Sequence, residues 1–130
     1  MAILEKRLNS HKFDEGDVLI KIGTPADGLY LLQRGRVNIA IPVAGSKGDY
    51  RIGTIDAGNM FGELALFDSS LRSATVVAAT SGQASVLSAS AVKDLQSHHP
   101  QVYQRLILAV GRSLADRLKR ANAEIRALAQ

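Results

Sequence analysis

The sequence predicts a mainly β fold, an antiparallel barrel or double-sheet roll with a short helix before it and two helices after it. Three observations predict this. Short apolar runs alternate with Gly-, Asp- and Pro-containing turns from about residue 11 to residue 88. The βαβ alternation of a doubly wound sheet does not occur. Beyond Ser88 the apolar residues change from a period of two to the period of a helix.

The elements follow in order. Residues 2–9 place Ile3, Leu4 and Leu8 on one side of a short helical candidate, which must pack on something to be stable. Phe13 precedes the turn Asp14-Glu15-Gly16-Asp17. Val18–Ile22 is a strand candidate, closed by Gly23-Thr24-Pro25 and Asp27-Gly28. Leu29–Gln33 is the next strand, broken at Arg34-Gly35. Arg36–Ile41 alternates Val37, Ile39 and Ile41 with polar or small neighbours, the mark of a half-buried strand, and Pro42 sets its end. Gly45–Asp49 reads as a hairpin loop and Tyr50–Ile55 as its return strand. Two more strands, Ser73–Ala79 and Gln83–Leu87, meet at Thr80-Ser81-Gly82. Ser88 or Ser90 caps a helix reaching about His98. Pro100 suits the first turn of a further helix. In that helix Leu106, Val110, Leu114, Leu118, Ala121, Ile125 and Leu128 form one apolar stripe, with Gly111 its weak point. The roll thus spans about 11–88 and the C-terminal helices about 90–128 of a single domain, 1–130. The last helix carries no stop signal, so the chain is expected to end inside, or just after, an element that could continue in a larger protein.

Composition narrows the function classes. The chain has 130 residues, 46% hydrophobic and 22% charged, enough for one soluble domain with a core. It has no cysteine, which removes disulfides and thiolate metal sites and fits a cytoplasmic location. No apolar run is long enough to span a bilayer, and the mixed, charged N-terminus is not a secretory signal. The net charge of +4 resides in residues 100–130, where Arg105, Arg112, Arg117, Lys119, Arg120 and Arg126 outnumber Asp116 and Glu124. A basic helix can meet nucleic acid, an acidic surface or an acidic partner, and it can equally be a solvated face with favourable charges near its C-terminal end.

One stretch stands apart: Phe61–Val77, FGELALFDSSLRSATVV. Gly62 lets the backbone approach another group closely. Leu64-Ala65-Leu66-Phe67 has high helix propensity, and the first N–H groups of such a turn can receive an anion. Arg72, the one basic residue between Arg51 and Lys93, can grip two phosphate oxygens at once. Ser73 adds a hydroxyl and an N–H. Glu63 would repel an anion unless it faced elsewhere, and a sugar hydroxyl suits it, since a carboxylate only accepts hydrogen bonds. Spacing alone equally allows a Glu63–Arg72 ion pair that staples a loop to the roll.

The segment FGELAL followed by RSAT resembles the phosphate-binding cassette of cyclic nucleotide-binding domains. The resemblance extends from Phe13 to Leu118, through Phe13–Asp17, Gly23–Tyr30, Leu32–Val37 and Gly58–Glu63, and then a family-like helical ending. It implies an eight-stranded β-roll with one helix before and two after it. It also implies that Arg72 binds the exocyclic phosphate oxygens and Glu63 the ribose 2′-hydroxyl. Gly62, Leu64 and Ala65 would present backbone groups to the ligand. Ser73 would add a phosphate contact, and Ala74 belongs to the same cassette. The expected ligand is cAMP, with cGMP the alternative. Leu71 replaces the Pro that many members carry. Ser73 is neither the Ala of many cAMP sites nor the Thr that favours cGMP elsewhere, so the base stays open. The last helix would act as a lid, with Arg112, Leu114 and Arg117 the places to look for its contact.

Other classes are weaker. His98 and His99 are adjacent on a helix, about 100° apart, and do not chelate; His11 lies before the first strand. No metal is therefore expected, and no other cofactor. Hydrolysis of a cyclic phosphate would need a metal or a free base beside a water, so no catalysis is expected. A roll that has lost its ligand and serves as an interaction module is the alternative function. No DNA binding is expected from this chain. The second half of the last helix is available for a host domain or a homodimer, and the ending RLKRANAEIRALAQ is similar to tails of cyclic nucleotide domains attached to bacterial transporters and enzymes.

Overall fold

The computed structural model describes residues 2–45, 48–63 and 71–129. A short helix α1 (Ala2–Glu5) precedes strands β1 (Leu8–Phe13), β2 (Val18–Ile20), β3 (Gly28–Arg34), β4 (Arg36–Pro42), β5 (Asp49–Asp56), β6 (Met60–Phe61), β7 (Thr75–Ala78) and β8 (Gly82–Ser88). Helices α2 (Ala89–His98) and α3 (Pro100–Ala129) follow. The strands form two antiparallel four-stranded sheets, ordered β1-β8-β3-β6 and β2-β7-β4-β5. This is the mainly β roll with flanking helices that the turn spacing predicts.

Period-two alternation explains the first core. Phe13, Tyr30, Leu32 and Ala84 from one sheet meet Ile20, Val37, Ile55, Val76 and Ala78 from the other. The ring of Tyr30 stacks on Phe61, with centroids 4.9 Å apart. That contact ties the two-residue strand β6 to β3. A second core covers the outer face of the β1–β8–β3–β6 sheet. There Leu29 and Leu87 pack against Val92 and Leu95 of α2 and Leu106 and Val110 of α3. The Ser88 hydroxyl caps α2 by accepting from the Ala91 N–H at 3.2 Å.

Two sequence expectations need correction. The helix expected over 2–9 ends at Glu5, and Leu8–Phe13 is instead an edge strand paired with β8. A four-residue helix has too few internal hydrogen bonds to hold against the free edge of β8. His11 accordingly lies within β1, opposite Ala84, rather than before the first strand. The first half of the α3 stripe is core, and Leu118, Ile125 and Leu128 in the second half are exposed, in line with the sequence reading of that half. Gly111 does not interrupt α3.

Candidate functional site

Strand β6 delivers Gly62 and Glu63, and the segment before β7 delivers Arg72, to one end of the roll. Arg72 is anchored by its own backbone. Its N–H donates to the Thr24 carbonyl at 2.8 Å, and its carbonyl accepts from the Gly23 N–H at 2.9 Å. An isolated bridge between Pro25 and Leu71 continues this pairing. The turn Gly23–Asp27 and the start of the β7 segment therefore hold each other in place.

The Arg72 side chain is buried and points inward. Nη1 donates to the Gly62 carbonyl at 2.9 Å, and Nη2 donates to the Gly28 carbonyl and to Asp27 Oδ1, both at 2.8 Å. A guanidinium has five N–H donors. These three bonds leave two without a partner among the described residues. Gly62 is needed here for its backbone: its φ is +74°, and a Cβ would stand 3.0 Å from Arg72 Nη1 and 3.1 Å from Ile20 Cδ1. The glycine makes room for the arginine.

Glu63 is buried, 5% exposed, although ionised carboxylates are rarely buried unpaired. It accepts from Nη2 of Arg117, which descends from α3. The Nε of Arg117 is buried and has no hydrogen-bond partner among the described residues. The Glu63–Arg72 ion pair that spacing allows is thus absent. Each group has a different partner, Asp27 for Arg72 and Arg117 for Glu63. Glu63, Arg72 and Arg117 border one cavity of about 200 Å³, walled by apolar side chains including Ile39, Ile52 and Val76. Burial raises the Tyr30 hydroxyl pKa, and the nearby Asp27 carboxylate adds to the effect, while Arg72 opposes it.

Of the seven residues singled out from sequence, Gly62, Glu63, Arg72, Ser73 and Ala74 all border this cavity. Ser73 is exposed and Ala74 half-buried. Leu64 and Ala65, with the helical turn expected at Leu64–Phe67, lie outside the described residues. Asp27 was not singled out, because Asp27-Gly28 reads as a turn and its contact with Arg72 spans 45 residues. Of the three lid candidates, Arg117 borders the cavity. Among the described residues no group of three or more His, Asp or Glu is placed to hold a metal ion, and no helix is long and apolar enough to cross a membrane.

The chain is similar to several known proteins. Glutaminase 1 of Bradyrhizobium diazoefficiens is 32% identical over 113 residues, covering 87% of this chain and 18% of that protein. A CRP-like cAMP-activated global transcriptional regulator of Mycobacterium tuberculosis is 28% identical over 122 residues, covering 94% of this chain and 52% of that protein. The chain therefore spans about half or less of these relatives. The crystal structure of a cyclic nucleotide-binding domain from Methylobacillus flagellatus superposes with a TM-score of 0.87 at 26% identity, over 95% of this chain and 69% of that one. The profile of the cyclic nucleotide-binding domain matches residues 10–99, from the first strand through α2, with Gly62, Glu63 and Arg72 inside the match. This chain belongs to the cyclic nucleotide-binding domain family.

Proposed function

We propose that this domain is a cytoplasmic sensor that binds cAMP, with cGMP the second candidate, and reports occupancy through α3. The observation that carries this reading is the buried Arg72. It is fixed by three acceptors beside a cavity, and its other two N–H donors have no partner among the described residues. A buried cation with spare donors favours a compact anion such as a cyclic phosphate. In this reading Gly62, Leu64, Ala65, Ser73 and Ala74 line the phosphate and ribose, and Glu63 takes the ribose 2′-hydroxyl. The domain performs no chemistry of its own.

Coupling to α3 follows from the Glu63–Arg117 pair. A ribose hydroxyl at Glu63 either shares the carboxylate with Arg117 or displaces it. The orphan Nε of Arg117 gains an acceptor when a ligand supplies one. Ligand and α3 thus compete or cooperate at one carboxylate, and α3 shifts only by the difference in ligand affinity between its two positions. The exposed half of the α3 stripe then passes the change to a second copy of the chain.

A second reading has its own support. Both charged groups already have an ion-pair partner within the chain, as they would in a roll that keeps its charges only for structure. Side-by-side calorimetric titration of cAMP and cGMP separates the two. Saturable binding at micromolar ligand is expected, and none leaves the interaction-module reading. Arg72→Ala is expected to weaken binding by more than about tenfold, the loss of ~2–5 kcal/mol typical of one member of a buried charged contact. It also strips two carbonyls of their donor, so its melting temperature is measured alongside. Arg72→Lys, which keeps the charge but not the planar fork, is expected to fall between. Unchanged affinity in Arg72→Ala removes the cassette assignment.

A further inference from the structure

A second cavity, of about 240 Å³, lies next to the one at Arg72, between the β4–β5 side of the roll and α3. The two cavities share three lining residues, Ile39, Ile52 and Arg117. Small-molecule sites span roughly 300–1,000 Å³, and each cavity alone falls below that range. Joined, the two reach it. Whatever separates them therefore decides whether a ligand larger than either can enter.

The three shared residues differ in how freely they can move. Ile39 and Ile52 are carried by adjacent antiparallel strands, whose ladder runs from Arg36–Asp56 to Pro42–Asp49. Arg117 is a long side chain on α3, beyond the buried Leu106 and Val110. It is tied to the roll by its ion pair with Glu63. That tie is opposed from within. Arg117 Nε is buried with no hydrogen-bond partner among the described residues, and a donor left so costs free energy that water would return. The side chain as a whole is 32% exposed, so it can reach solvent without disturbing the sheets.

Resting on the cyclic nucleotide reading, we propose that Arg117 is a gate held shut by Glu63. In the empty domain it partitions the site and occupies the carboxylate. The ribose 2′-hydroxyl of the entering nucleotide donates to Glu63 in its place, Arg117 swings to solvent, and the two cavities become one. Of sharing and displacement at Glu63, the geometry favours displacement, because sharing leaves Arg117 across the opening. The contact is autoinhibitory: the ligand breaks an internal pair before it gains one.

Calorimetry with cAMP and cGMP on the native chain and on Arg117→Ala tests the gate. The substitution frees the carboxylate and opens the partition. It is expected to tighten whichever nucleotide the native chain binds by about five- to tenfold, since the cost of reaching the open state no longer falls on the ligand. The melting temperature of Arg117→Ala is measured alongside, because Glu63 loses its partner. An independent readout uses the native chain alone. The NMR signal of the Arg117 Nε–H, buried in the empty domain, is expected to show protection from solvent exchange and to lose it at saturating nucleotide. Absence of saturable binding by the native chain removes the functional reading and the gate with it. Binding that is equal or weaker in Arg117→Ala, or an Arg117 Nε–H still protected in the saturated complex, overturns the gate and leaves the functional reading standing.

Discussion

Arg72 and Gly62 form a single device. The glycine adopts a φ of +74° so that its carbonyl can accept from the guanidinium, and the guanidinium occupies the space a Cβ would need. Gly62→Ala therefore meets both a left-handed backbone, costing ~1–2 kcal/mol, and a close contact with Arg72. The expected result is a melting temperature several degrees lower, together with weaker cyclic nucleotide binding, read by thermal denaturation and calorimetry. A melting temperature unchanged by the substitution would show that the segment relaxes around the added methyl. The sequence made Arg72, Glu63 and Gly62 legible, because a glycine, a carboxylate and a lone arginine fall within one short stretch. Their partners were not legible. Asp27 is 45 residues from Arg72 and Arg117 is 54 residues from Glu63, and no local pattern links such pairs. The spacing that allowed a Glu63–Arg72 pair reported proximity along the chain, while folding gave each group a partner from another element.

Among the elements, α3 bears on the site and α2 on its support. Glu63 is the contact by which α3 closes on the cavity, so Glu63→Gln is expected to loosen the helix there. Because the chain has no cysteine, Tyr50→Cys and Ala123→Cys can carry spin labels uniquely. Pulsed distance measurement between them is expected to give a narrow distribution when Glu63 is retained and a broader, longer one when Glu63→Gln is added. Identical distributions would show that packing alone holds α3. At the other end, Arg7 donates to Asp94 at 2.7 Å, and His98 Nδ1 lies 3.0 Å from the same carboxylate. The Arg7 hydrogen bond holds the Asp94 carboxyl below its ordinary value of 3.8. A depressed carboxyl pKa adds stability that is complete above the ordinary value and disappears as pH falls through the folded one. Acidification below about pH 4 is therefore expected to lower the melting temperature of the native chain more steeply than that of Asp94→Asn. Parallel pH profiles of the two proteins would show that the clamp contributes nothing. Strand β1, which this clamp adjoins, escaped the sequence reading because Asn9, Ser10, His11 and Lys12 are all polar and exposed. An edge strand with neither face buried along most of its length offers no alternation to detect.

At the scale of the whole molecule, the two-sheet roll was legible because its strands bury one face each and its turns carry glycine at regular intervals. The two-residue strand β6 was not, since it is too short to show a period. The α3 stripe was legible as apolar, but most of its second half is left exposed. Leu118 is 63% exposed, Ile125 63% and Leu128 86%. With Leu114 and Ala121 these residues recur at alternating four- and three-residue steps, the seam of a two-stranded coiled coil rather than the broader face of a helix lying on a sheet. In the proposed function, a second copy of the chain would present the same seam and close it by two-fold symmetry. Sedimentation velocity over a concentration series is expected to show a dimer. Leu118→Glu with Ile125→Glu places like charges in the seam and is expected to yield a monomer with the roll intact, read from an unchanged melting transition of the β-sheets. A native chain that stays monomeric at high micromolar concentration would assign the seam to a different partner. A dimer unaffected by the two glutamates would place the contact elsewhere on the surface.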